Sequence, residues 1–193
     1  MKCKARCLLA GILIAVMLIC PVSAASAFPD VDGNAAYAEA AEYLSELGIM
    51  VGDNKGNFNP DKAVSRAEMA TVICRMLGET ESSTANDSTF ADVPAGHWAS
   101  GYISQAASLG IVNGYGNGNF GPEDTVTYEQ AVTMIVRTLG YENEAGSAGG
   151  YPDGYVSIAQ SIGLLDGVNA QKGTPLDRKG VAIIVYNSYH SYV

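Results

Sequence analysis

The stretch Gly56-Asn57-Phe58-Asn59-Pro60, with Ser65-Arg66-Ala67-Glu68 behind it, returns as Gly118-Asn119-Phe120-Gly121-Pro122 with Thr127-Tyr128-Glu129-Gln130 behind it. At that offset of 62 the likeness runs without a gap over residues 28–78 and 90–140, and 17 of the 51 aligned positions are identical. A long fixed period marks a supersecondary unit that cannot bury its apolar face alone, so neighbouring copies must share one core. Function then belongs on or between the copies.

Each copy reads as helix, ordered loop, helix. In the first, Ala36, Ala40, Tyr43, Leu44 and Leu47 share one helical face, and Gly48 stands where a left-handed residue ends a helix. Turn formers follow from Gly52 to Pro60, with Phe58 as their one large apolar anchor and room for at most a short hairpin. Ser65 and Glu68 then make a capping box ahead of Met69, Ala70, Ile73, Met76 and Leu77. The second copy keeps this plan with Trp98, Tyr102 and Ala106, then Thr127 and Gln130, then Ala131, Val132, Ile135, Val136 and Leu139. A shortened third copy opens at Tyr151-Pro152-Asp153, lacks the Gly-Asn-Phe-x-Pro loop, and ends in a helix that starts at Asp177-Arg178.

Residues 1–27 read as a secretory signal peptide, with Lys2, Lys4 and Arg6 ahead of an apolar run and Ala25-Ser26-Ala27 at the cut. The run is short for a membrane span, so no transmembrane segment is expected after cleavage. Three basic residues leave with the signal, so the formal charge falls from −9 to −12 over 166 residues. So acidic a chain argues against nucleic acid as a partner. One cysteine stays, Cys74, on an apolar stripe, which excludes a disulfide framework and reads as a buried small hydrophobe. The expected division is 1–27 signal, 28–78 first repeat, 79–89 polar linker, 90–140 second repeat, 141–150 Gly-rich linker and 151–193 degenerate third repeat.

Arg66 and Arg178 both stand at the first position of a helix, where backbone N–H groups lack partners and a cation opposes the dipole. An anion bound at that end turns the cost into a gain. The alternative is a solvated Arg66 paired with Asp53 or Asp61. On the ligand-binding reading each arginine is replaceable by alanine with little loss of stability. Tyr128 fills the position in the second copy and offers a ring but no charge. Trp98 reads equally as a core anchor or as a platform for a sugar face. Gly52 and Gly114 would let a ligand approach the backbone, although turn geometry accounts for them too. The loop at Asp53 lacks the ligand pattern of a calcium site, and its second copy has no carboxylate, so no metal is expected.

These marks together resemble the S-layer homology (SLH) family: Phe28-Pro29-Asp30-Val31 and Phe90-Ala91-Asp92-Val93, Trp98, Leu47-Gly48-Ile49 and Leu109-Gly110-Ile111, the two Gly-Asn-Phe-x-Pro loops, and Ser65-Arg66-Ala67-Glu68. The resemblance implies an all-α domain of three helix-loop-helix repeats packed around a pseudo-threefold axis, with grooves between neighbours. It implies noncovalent anchoring of a secreted protein to the bacterial cell wall or S-layer. The partner would be an anionic secondary cell-wall polysaccharide associated with peptidoglycan, often pyruvylated, and glycan contacts would fall on Arg66, Arg178, Trp98, Tyr128, Gly52 and Gly114. The alternative is a structural, self-assembly or protein-interaction module of the envelope. A fused or associated envelope protein is compatible with either. No catalytic residue and no cofactor are implied, since His97 and His190 are the only histidines and no nucleophile motif is present.

The pattern predicts a far-UV spectrum dominated by helix, because every long periodic segment has the 3.6-residue spacing; a sheet-dominated spectrum contradicts it.

Overall fold

The computed structural model describes residues 26–79 and 90–190. Nearly all of the expected signal segment, and the linker from residue 80 on, lie outside the described residues. Seven helices follow in order: α1 (Ala38–Glu46), α2 (Arg66–Met76), α3 (Ser100–Ser108), α4 (Tyr128–Thr138), α5 (Glu142–Ser147), α6 (Asp153–Ser161) and α7 (Arg178–His190). Among the described residues there are only isolated β-bridges and no strand. The chain is all-α.

The capping boxes form as the sequence dictates. Ser65 Oγ accepts from Glu68 N while Glu68 accepts from Ser65 N, and Thr127 and Gln130 do the same at α4. At α7 the Asp177 carboxylate takes over, accepting from Gly180 N at 2.9 Å. α1 and α3 end at Gly48 and Gly110, both in the left-handed region (φ 69 and 71).

The first helices are shorter than their stripes. Ala36 and Trp98 precede α1 and α3, and Leu47, Leu109 and Trp98 are about half exposed, so these positions do not line the core. The Gly-rich spacer is not a plain linker either, since α5 forms within it and buries Ala145. Apolar periodicity could not reveal so short a helix, because one buried alanine is its whole stripe.

What joins the segments is the extended stretch before each second helix. Val64 N donates to Leu176 O (3.0 Å), Leu176 N to Val126 O (3.0 Å), and Val126 N to Val64 O (2.9 Å). The three bonds close on themselves, and Val64, Val126 and Leu176 are all fully buried. Bridges Ala63–Asp177, Ser65–Thr125 and Thr127–Pro175 flank them. Each first helix packs on a second helix from a different segment: α3 on α2, α6 on α4, and α1 on α7, the last pair joining the two ends of the chain.

Each loop is folded by a carboxylate from its opening motif. Asp30 accepts from Phe58 N and Asn59 N, both at 2.7 Å, and Asp92 from Phe120 N (2.8 Å) and Gly121 N (2.7 Å). Phe58 and Phe120 are thereby driven fully into the core against Phe28 and Phe90. Cys74 is buried there as well, its Sγ donating to Tyr102 O at 3.3 Å, and burial pushes its thiol up to about 11.

A chain ending at Gly140 loses the helix under α1 and one member of the hydrogen-bonded ring. Its melting temperature should fall by at least about 10 °C or its transition lose cooperativity; calorimetry showing an unchanged transition contradicts the shared core.

Candidate functional site

The N-termini of α2, α4 and α7 surround that ring, and most of their first backbone donors are already used. Arg66 N donates to Asp124 O (2.9 Å) and Ala67 N to Pro122 O (3.0 Å). Arg178 N and Lys179 N reach Lys62 O and Pro60 O, and Tyr128 N reaches Thr174 O. At α2 and α7 the N–H groups that the sequence offers to an anion are therefore already taken. They bind the neighbouring segment's loop instead.

The two arginines do the same. Arg66 is 3% exposed; its Nε donates to Phe120 O and its Nη2 to Asn113 O, both at 2.8 Å, and its guanidinium lies over the Tyr115 and Phe120 rings. Arg178 repeats the arrangement one loop away, from Nε to Phe58 O (2.7 Å) and from Nη2 to Val51 O (2.9 Å), over the Phe58 ring. Burial lowers the pKa of both, opposed at Arg66 by Tyr115, Asp124 and Asp92 and at Arg178 by Glu68, Asp30 and Asp53. An arginine stays charged regardless. Arg66 is not solvated, Arg178 is half-buried, and neither is held in an ion pair with Asp53 or Asp61. They are struts between segments, which offsets the unfavourable position at the helix start.

Tyr128 has no loop to enter, because the third segment lacks the one whose carbonyls an arginine would cap. Its ring is 8% exposed and fills the gap, so it cannot serve as a stacking platform. Gly52 and Gly114 are explained within the protein: a Cβ would lie 3.0 Å from the Phe28 ring at the first and 2.6 Å from the Phe90 ring and from Asn119 O at the second. Trp98 is 53% exposed beside His97, available on the surface and not a core anchor. Tyr155, on α6 of the third segment, is buried.

These residues do not form one site. Arg66 and Gly114 line a cavity of about 390 Å³ with Asn113, Tyr115, Gln130, Thr133, Arg137 and Tyr151. Arg178 and Gly52 line one of about 190 Å³ with Asp53, Lys62 and Glu68. Trp98 lines a third, of about 380 Å³, which shares Lys62 and Glu68 with the second.

The two arginine grooves differ in charge. In the Arg178 groove Lys62 is 2.6 Å from Glu68, and Asp53 is held near a pKa of 2 by donors from the Asn59 side chain and from Asn57 N and Lys55 N. That depression means Asp53 supports the loop above pH 3.8 and loses this role only as pH falls toward 2. The Arg66 groove is lined by two guanidiniums and no carboxylate. Arg137 Nε is 3.1 Å from Glu142 at its edge, yet the angle leaves Nε without a hydrogen bond. Two tyrosines, Tyr115 and Tyr151, stand half exposed at its mouth. Sequence reading missed Arg137, Tyr115 and Tyr151. Arg137 stands on its helix as Arg75 does, so only the fold shows that it shares a cavity with Arg66. Among the described residues no cluster of His, Cys, Asp and Glu is fit to hold a metal, and no helix is long and apolar enough to cross a membrane.

Comparison with known proteins finds the S-layer homology domain family matching residues 27–70 and 89–132. A cell surface protein of Thermoanaerobacter kivui is 37% identical over 166 residues, covering 84% of this chain and 21% of the relative. A surface layer protein of Brevibacillus choshinensis is 36% identical over 138 residues (70% of this chain, 12% of the relative). The middle cell wall protein of Brevibacillus brevis is 37% identical over 123 residues (63% and 12%). The chain spans about a fifth or less of the length of these curated relatives.

Arg66→Ala should destabilise the fold by about 2 to 4 kcal/mol, since it strips two charge-assisted bonds and strands the Phe120 and Asn113 carbonyls. Denaturant titration measures this; a loss below about 0.5 kcal/mol contradicts the strut.

Proposed function

We propose, from a chain whose residues 27–70 and 89–132 are S-layer homology domains, that it anchors a secreted protein noncovalently to the cell wall by holding an anionic wall polysaccharide in the Arg66 groove. The protein is a secreted protein of the cell wall or S-layer. The observation that carries the glycan reading is the charge of that groove: two guanidiniums and no lining carboxylate in a chain of formal charge −9. Cationic groups beside exposed tyrosines suit an acidic sugar, with the carboxylate near the guanidinium charge and the ring face on the aromatic. A pyruvyl ketal is one such group. The partly exposed Trp98, in the neighbouring cavity, offers a second ring for the chain of sugars. Binding of this kind requires no catalytic residue.

The third segment is, on this proposal, a shortened copy that completes a pseudo-threefold arrangement. The cyclic bonds among Val64, Val126 and Leu176 support it, as does the matching use of Arg66 and Arg178. The second reading, a protein-interaction or self-assembly module, draws on the exposed Leu47, Val51, Leu77 and Leu109.

The folded chain should co-sediment with purified wall sacculi and stay in the supernatant once the polysaccharide has been extracted. Equal binding to extracted sacculi removes the glycan reading and favours a protein partner.

A further inference from the structure

The loop of the second repeat holds two Asn-Gly pairs, Asn113-Gly114 and Asn117-Gly118, and the fold treats them in opposite ways. The first repeat has neither, with Val51-Gly52 and Lys55-Gly56 in their places.

At the outer pair the Asn117 side chain folds forward along the chain. Its Oδ1 accepts from Asn119 N at 3.0 Å, which lays the side-chain carbonyl over the peptide that follows it. Asn117 and Gly118 are both exposed, and a Cβ on Gly118, whose φ is 86, would meet nothing within 4 Å. Gly118 O accepts from Ala91 N at 2.9 Å, but among the described residues Gly118 N has no acceptor, whereas the equivalent Gly56 N donates to Asp53 O at 2.9 Å.

At the inner pair the side chain folds back. The Asn113 amide donates to Val112 O at 3.2 Å and accepts from Arg137 Nη1 at 3.0 Å, while its backbone carbonyl takes Arg66 Nη2 at 2.8 Å. Gly114 is wedged, since a Cβ there would lie 2.6 Å from Asn119 O and from the Phe90 ring.

We propose that Asn117 is a self-modifying site, which the folded loop converts to aspartate and isoaspartate while it holds Asn113 unreactive. The only reagent is water. Gly118 N gives its proton to hydroxide and bonds to Asn117 Cγ; Oδ1 takes the negative charge, and the Asn119 N–H already directed at it stabilises it there. The Cγ–Nδ2 bond then breaks, and Nδ2 leaves as ammonia with a proton from water, which restores the hydroxide. Water opens the resulting five-membered imide at Cγ to give aspartate, or at the backbone carbonyl to give isoaspartate. Nothing is oxidised or reduced. Arg137 polarises the Asn113 carbonyl as well, but that side chain is turned toward the preceding residue, away from the Gly114 nitrogen. Either product puts a negative charge at the tip of the second loop, where the first loop carries Lys55.

The folded chain is incubated in heavy-oxygen water at mildly alkaline and at mildly acid pH, beside the same chain in denaturant. Peptide mapping follows both positions by mass and by labelling with an isoaspartyl methyltransferase. In the folded chain position 117 should convert at least about tenfold faster than position 113, faster at the higher pH, and the new carboxylate should carry one heavy oxygen. In denaturant the two positions should react alike. Asn117→Gln, which would need a six-membered ring, should leave position 117 unchanged. Equal rates at the two positions in the folded chain, faster reaction at 113, no conversion at 117, a preference that persists in denaturant, or a glutamine at 117 that converts as fast as asparagine overturns the proposal.

Discussion

The closed circuit of three backbone hydrogen bonds among Val64, Val126 and Leu176 is the constraint on which the rest of this protein depends. It sits where no solvent reaches, so each of these polar groups must find its partner in another segment or go without, and an unpaired buried group costs about 1 to 3 kcal/mol. No two segments can close it. The same geometry brings α2 and α7 each to a neighbouring loop, so that their helix-start donors and arginine forks meet the loop carbonyls.

That arrangement changes what the arginines mean. A buried guanidinium in bonds to carbonyls is held for structure first, and its charge is then carried into the groove at no further conformational cost. On the proposed reading, a cation fixed before binding would spare the entropy of ordering a long side chain. The linings around the two struts diverge: Asp53, Lys62 and Glu68 beside Arg178, but Tyr115, Gln130 and Arg137 beside Arg66.

The repeat, the capping boxes and the helical class were legible because they rest on local rules: periodicity, an N-cap oxygen and a Gly at the helix end. Arg66 and Arg178 were legible as special but not as to why. Their partners lie 47 to 54 and 120 to 127 residues away, and nothing in a helix start announces which distant carbonyl it will meet. Trp98 and Leu109 misled for the opposite reason, since they obey the helical spacing yet fall just outside α3, where the stripe no longer faces the core. Asp30 and Asp92 were visible only as family marks. Their work, clipping two consecutive N–H groups 28 and 29 residues on, follows from the loop's need to satisfy its backbone while it buries a phenylalanine.

Native-state hydrogen exchange at the amides of Val64, Val126 and Leu176 tests the account most directly. If the three bonds close one cooperative unit, all three amides should exchange only through global unfolding, with protection equal to one another and to the full stability of the domain. Fast exchange at Leu176, with Val64 and Val126 still protected, would mean that the third segment opens by itself, and the shared core would not be the organising feature of the fold.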